Sequence, residues 1–266
     1  MDQLLFNYDY TAQRYQRIIA DCFTVEDFRE YNEILFSAHS CAVEGNSFTV
    51  DETRELKEKG IKLKLQNHSL FEAHEILDHF KAYEFVFDNL DKSLSEDFIK
   101  KTQAILMQNT IKFSKGYDPG EYTRTQMAAG DTVFGDFEEG IKRMPELIGS
   151  IENAIVNADL HPLEISARFH KFLIYLHPFP DGNGRVGRLI SNYILARFKQ
   201  PHIIIKAADK NKYIQALKLS DKHRDSSNLT AYFAELSIER MEKEIAQKKN
   251  LTQNFEMNFQ PRKRGR

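Results

Sequence analysis

Residues 177–188 read His-Pro-Phe-Pro-Asp-Gly-Asn-Gly-Arg-Val-Gly-Arg, and no other stretch constrains the fold as much. Gly182 and Gly184 flank Asn183 directly before the apolar run Leu189-Ile190-Ser191-Asn192-Tyr193-Ile194-Leu195. The backbone can therefore turn tightly and open into a helix whose first N–H groups point at an anion. Any fold for this chain has to bury that helix while leaving its entrance accessible.

The side chains around the turn suit phosphate chemistry. Arg185 and Arg188 are three residues apart and share a helical face, so two guanidinium forks can grip neighbouring phosphates of a polyphosphate. Asp181 can hold a hard cation such as Mg2+, which needs only one or two protein carboxylates when phosphates supply the other ligands. His177, with an ordinary pKa of about 6.5, can take a proton from an attacking hydroxyl near neutral pH. Phe179 is expected to point inward and pin the loop. Singly, each of these residues is ordinary structural material; the combination and spacing carry the reading.

In that combination the run resembles the signature of the Fic family: His, Phe, an acidic residue, Gly-Asn-Gly-Arg and a further Arg, in this order. Residues 161–176 resemble the helix that leads into the family's loop. Residues 120–130 resemble its flap, a β-hairpin beside the active site that pairs with a target segment in strand fashion, and Gly120, Tyr122, Arg124, Met127 and Gly130 are its docking candidates. Glycine at both ends suits a hairpin, although the apolar alternation between them is weak. The resemblance also places Tyr213 near an adenine, with core packing as the other reading of that tyrosine.

A third element bears on regulation. Ser40-Cys41-Ala42-Val43-Glu44-Gly45 resembles the family's inhibitory motif, and its position before the core resembles the N-terminally inhibited class. Phe28, Tyr31, Leu35, Ala38 and Ala42 recur at helical spacing, with Thr24 as N-cap and Gly45 just past the end, which predicts a helix over about 24–45. Glu44 then sits at the negative end of a helix dipole, where a carboxylate calls for a cationic partner. The resemblance implies Arg188 as that partner, so that the pair occupies the guanidinium needed for the γ-phosphate.

Helix signals far outnumber strand signals, and the expected fold is mainly α: a Fic-type helical bundle with a small β-hairpin flap. Thr49 with Glu52, Ser69 with Glu72, and Ser93 with Glu96 read as capping boxes, and Gly60 closes the first of these helices. Residues 1–110 are expected to form an N-terminal helical part packed on a core at 111–236. Residues 237–266 complete a polar helix running from Asn228 to about Lys248 and end in a basic, solvated tail, Pro261–Arg266. On the helix holding Glu72, His74, Glu75, Asp78 and His79, i,i+4 pairs could chelate a metal. The zincin spacing is missed by one residue, and an exposed or inter-helix polar face is preferred.

The composition fits a soluble enzyme. In 266 residues, 41% are hydrophobic, enough for a substantial core, and a net charge of −2 gives no general attraction to nucleic acid or anionic lipid. Cys22 and Cys41 are too few for a disulfide scaffold, which favours a reducing cytoplasm, although one bridge could form. No apolar run approaches the ~20 residues of a membrane span, and the N-terminus lacks the features of a signal peptide.

The resemblance thus implies a protein adenylyltransferase using Mg2+ and ATP: His177 as base; Gly182, Asn183, Gly184, Arg185, Arg188 and Tyr213 around the nucleotide; Asp181 for the metal; Glu44 and Ser40 as inhibitory residues. The partner is a target protein, which includes automodification and a second copy of the chain. AMP removal, transfer of another phosphate-containing group and a non-catalytic binding module remain alternatives.

Overall fold

The computed structural model describes residues 1–258 apart from Gln66, Gly130, Asp131 and Gly135. The basic tail expected at Pro261–Arg266 lies outside the described residues. Helices run over Asp2–Ile18 (α1), Val25–Val43 (α2), Val50–Lys59 (α3), Leu70–Phe87 (α4), Glu96–Leu106 (α5) and Ile111–Lys115 (α6). They continue over Phe137–Asn157 (α7), Pro162–Leu176 (α8), Asn183–Arg197 (α9), Lys210–His223 (α10) and Ser227–Asn258 (α11). A short antiparallel pair, Ala128–Ala129 (β1) with Thr132–Val133 (β2), lies between α6 and α7, with Ala128 opposite Val133. The fold is mainly α, as expected.

Local chemistry sets most of the helix starts. The Thr24 side chain accepts from Asp27 N, and the boxes Thr49 with Glu52 and Ser69 with Glu72 are both complete. Gly60 closes α3 at φ 58°. The third expected box does not form: α5 is capped by Ser95, whose hydroxyl accepts from Phe98 N, and Glu96 is then the first residue of the helix. α8 uses an unusual cap, His161, whose ring accepts from Leu163 N while Glu164 reaches back to His161 N. The last helix reaches ten residues beyond the expected end near Lys248.

Two-sided burial places α8 at the centre. Ile165, Phe169, Leu173 and Leu176 join a core with Phe98, Ile99, Leu106, Val186, Leu189 and Ile190. Leu163 and Ala167, on its other side, join a second core built from α1, α10 and α11. A helix apolar on both faces belongs inside. A third cluster, Ile34, Cys41, Phe48, Leu56, Ile76 and Phe80, knits α2 to α3 and α4. The expected stripe on α2 is only part of its buried surface: Phe28, Tyr31, Leu35 and Ala42 are half-buried, while Ile34, Phe36, Ser37, Ser40, Cys41 and Val43 are buried. The C-terminal half of α2 is clasped on several sides, and α2 and α4 both pack against α9. Cys22 and Cys41 are free thiols, and among the described residues no helix is long and apolar enough to cross a membrane.

Candidate active site

His177 follows the last residue of α8 in a left-handed conformation, φ 46°, rare for a residue other than glycine. This turn swings the chain off the helix while His177 N still donates to Leu173 O at 2.9 Å. Nδ1 lies 3.3 Å from Ile174 O. A carbonyl can only accept, so the proton sits on Nδ1 and the Nε2 lone pair is left as the basic atom. The ring stacks on Phe134, centroids 3.7 Å apart and planes at 14°.

Burial lowers the His177 pKa below its ordinary value, and the Ile174 carbonyl and the Asp181 charge only partly oppose this. The neutral imidazole is therefore favoured more than in a free histidine. Any reaction that uses Nε2 as base should lose rate with an acid limb that breaks below the ordinary histidine value of about 6.5. A pH–rate profile breaking at or above 6.5 would contradict this.

The loop after His177 is tied at several points. Phe179 is fully buried, as expected, with its ring 5.2 Å from that of Tyr122. Asn183 closes the turn on Phe179 from both sides, accepting from its N–H at 3.0 Å and donating to its carbonyl at 2.7 Å. The Asn183 side chain is thus committed to the loop, and what it offers an anion is its backbone N–H in the first turn of α9. Gly182 has φ 83°, and a Cβ there would press on Met107 Sδ at 3.0 Å. Buried Gln103 bridges two segments, donating to Asp181 O at 3.1 Å and accepting from Gly120 N at 2.6 Å. Thr123 N donates to Pro178 O at 2.8 Å.

The arginines share a helix but reach to different neighbours. Arg188 donates from Nε to Ser40 Oγ at 3.1 Å and from Nη2 to Ser40 O at 2.8 Å and Glu44 Oε1 at 2.6 Å. Arg185 donates from Nη1 to Glu75 Oε1 at 2.8 Å and from Nη2 to Asp181 Oδ1 at 3.4 Å, while its buried Nε has no partner among the described residues. Both residues are 3% exposed, so each guanidinium depends on these acceptors in place of water. Burial alone would lower the Arg185 pKa, but Glu75 and its acidic neighbours raise it. Burial would likewise raise the Glu44 pKa, but Arg188 outweighs it and holds the carboxyl below its usual range. A Cβ built on Gly184 would overlap the Glu44 carboxylate and stand 3.1 Å from Arg188 Nη1. The carboxylate therefore lies against the first turn of α9, where the helix dipole and Arg188 both favour negative charge.

Asp181 Oδ1 accepts from Gly182 N at 2.6 Å, which orients the carboxylate at the mouth of the turn. Among the described residues no cluster of three or more metal-ligating side chains exists. A single carboxylate at an anion-binding turn suits Mg2+, which takes its remaining ligands from phosphate and water.

Tyr213 is 5% exposed, with its hydroxyl 2.6 Å from His170 Nε2 and its pKa pushed up to about 12 by burial. His170 Nδ1 in turn meets Ser191 Oγ at 3.2 Å. The flap segment differs from the expected hairpin over 120–130. The paired strands fall at its C-terminal end and beyond, because Gly120 and Thr123 are drawn into bonds with Gln103 and Pro178. Tyr122 packs inward under the Lys100 ammonium, 4.2 Å from the ring centroid. Arg124 is exposed and pairs with Glu121 at 2.6 Å, Met127 O accepts from Phe134 N at 3.1 Å, and Gly130 lies outside the described residues.

On α4 the acidic and histidine cluster is dispersed among other tasks. Glu72 caps its helix, Asp78 accepts from Asn109 N and Nδ2 at 2.9 and 2.7 Å, and His79 meets Ser37 Oγ at 2.9 Å. Gln103 and Phe134 touch the site without any sequence signal that marks them, and Glu75, singled out in the sequence only as a member of the α4 metal candidate, meets Arg185 instead. A groove of about 1140 Å³, lined by Tyr15, Phe28, Tyr83, Phe87 and His202, lies at the far end of α2 and shares no residue with the loop.

Residues 93–195 match the Fic/DOC family. The chain is 32% identical over 189 residues to the protein adenylyltransferase Fic of Nematostella vectensis, an alignment covering 67% of this chain and 41% of that protein. It spans about two fifths of the length of the curated relatives it matches. Among solved structures, a Fic domain containing signaling protein from Bacteroides thetaiotaomicron superposes with a TM-score of 0.77 at 22% identity, over 93% of this chain and 97% of that one. Fic-1 (aa134 - 508) from C. elegans gives 0.77 at 22% identity, over 94% and 73%. These two show a shared fold.

Proposed function

The chain belongs to the Fic/DOC family through its domain at residues 93–195, and from that premise we propose that it is a protein adenylyltransferase held in check by Glu44. The observation that carries this reading is a carboxylate seated at the anion-binding turn: Glu44 on Arg188, against Gly184, within the loop that also carries His177.

In the proposed reaction His177 Nε2 takes the proton of a Ser, Thr or Tyr hydroxyl on a target protein. The hydroxyl oxygen attacks the α-phosphorus of ATP, the bond to the β-phosphate oxygen breaks, and pyrophosphate leaves an AMP ester on the target. The backbone N–H groups at Gly182 to Gly184 and the Arg185 guanidinium stabilise the charge that grows on the phosphate oxygens. Arg188 holds the γ-phosphate once Glu44 has left it. Mg2+, held by Asp181, would neutralise and orient the phosphates when bound. Exposed Arg124 and the short hairpin offer a docking edge for the target, and Tyr213 stands behind Arg188 as a candidate adenine neighbour. The free thiols support a reducing compartment such as the cytoplasm.

Titration with ATP and Mg2+ by calorimetry, followed by assay of pyrophosphate, separates transfer from binding alone. ATP bound with no pyrophosphate from any Glu44 variant would favour a binding module. Asp181→Ala should weaken metal-dependent activity in an activated background, and excess Mg2+ should not restore it fully. An Asp181→Ala variant with the parent's metal dependence would place Mg2+ elsewhere.

A further inference from the structure

Glu44 is not the only carboxylate on a motif arginine. Glu75, six residues into α4, meets Arg185 Nη1 through Oε1 at 2.8 Å. Its other oxygen, Oε2, accepts from Asn46 Nδ2 at 3.0 Å. Asn46 lies in the turn directly after Glu44 and Gly45, and this turn is stitched to α4. Asn46 Nδ2 also donates to Glu72 O at 2.9 Å, and Ser47 donates to Glu72 Oε1 from N at 3.0 Å and from Oγ at 2.7 Å. Asn46 Oδ1 accepts from Phe48 N at 3.1 Å, which fixes the amide so that its NH2 group faces Glu75.

The remaining contacts of Arg185 are weak. Asp181 is 3.4 Å away, and the buried Nε has no partner among the described residues. Without Glu75, only the longer Asp181 contact would hold the fork among the described residues. Glu75 itself is 12% exposed, so its negative charge is directed into the protein, at Arg185 and Asn46. No other part of the site explains an acid here, because Glu75 is neither at the mouth of the turn nor in a metal cluster.

We propose that Glu75 is a positioning residue for nucleotide binding: it holds Arg185 from behind in the orientation that meets the phosphates, and through Asn46 it ties that arginine to the turn that ends the inhibitory helix. The proposal rests on the nucleotide reading of the site given above. It also means that the two motif arginines are held through one continuous stretch of structure. Arg188 meets Glu44, the chain runs from Glu44 to Asn46, and Asn46 meets Glu75 on Arg185.

The test uses Glu75→Gln in the Glu44→Gly background. Glutamine keeps the size of the side chain and one acceptor oxygen, but both neighbours are donors, so its NH2 end must face one of them and the bridge is broken. ATP affinity by calorimetry should fall on the order of tenfold, as for outer partners that orient a binding side chain. The thermal midpoint should stay close to that of the parent. In an Arg185→Ala background the same change should alter ATP affinity by less than about twofold, because Glu75 acts only through Arg185. Equal losses in both backgrounds, or unchanged ATP affinity after Glu75→Gln, would overturn the proposal. A parent that binds ATP but transfers no AMP would sink the reaction reading and still leave the binding cycle to decide the role of Glu75. A parent that binds no ATP would overturn both.

Discussion

Glu44→Gly should raise incorporation of labelled AMP well above wild type, on the order of 10²-fold if pairing with Arg188 leaves about 1% of molecules competent. Removing the carboxylate does not set the arginine adrift, because Ser40 still supplies two acceptors, Oγ on Nε at 3.1 Å and the carbonyl on Nη2 at 2.8 Å. The guanidinium stays in place with its Glu44-facing edge open to phosphate. Adding Arg188→Ala should abolish the gain, since relief helps only while the arginine is present to be relieved. A gain with labelled UTP and not ATP would reassign the donor. Loss of AMP from a pre-modified target with wild type, but not with Glu44→Gly, would favour the removal reaction. Unchanged turnover in both variants would sink the inhibitory role.

His177→Ala in that activated background should lower transfer by about 10²–10⁴-fold, the usual contribution of a general base. ATP affinity should hardly change. In the proposed reaction the ring offers Nε2 to the attacking hydroxyl, while its other nitrogen is committed to Ile174 O at 3.3 Å. In the same proposal the phosphates fall to other groups: the first turn of α9 and the two arginines. Comparable AMP incorporation by the variant and its parent would rule His177 out as the base.

The parts of the fold legible in the sequence are those written by neighbours in the chain. Thr24, Thr49, Ser69 and Gly60 act over three or four residues, and a reader can find them. α5 misled because Ser93 and Ser95 are both good caps, and only packing selects between them. Asp181, Gly182, Gly184 and the arginines were legible because a tight turn opening a helix demands those residue types in a short run. The pair Glu44 with Arg188 spans 144 positions and was reachable only through two motifs read together. Glu75, 110 positions from Arg185, stands out in the sequence only as part of a metal candidate on α4, and Gln103, 78 from Asp181, belongs to no motif; nothing local to either helix says which distant group it will meet. The same limit applies to the arginines. Their i,i+3 spacing showed a shared face, but long side chains diverge to whichever carboxylate the fold brings near. The flap was misplaced because its strands are two residues long, too short for alternation, and its anchors lie on α5 and on the loop.

Gly184 sets how readily the brake could be lost in evolution. The Glu44 carboxylate rests where a side chain at 184 would begin, and in the proposed reaction a phosphate takes the same bare surface. In the proposed reaction a side chain at 184 crowds both guests, so a substitution here is expected to impair transfer along with inhibition. Selection for catalysis thereby keeps the seat of the inhibitor intact without any selection for inhibition. Escape from control has to come from the α2 side, at Glu44 and the residues that aim it, and lineages that lost the brake should carry their changes there while keeping glycine here.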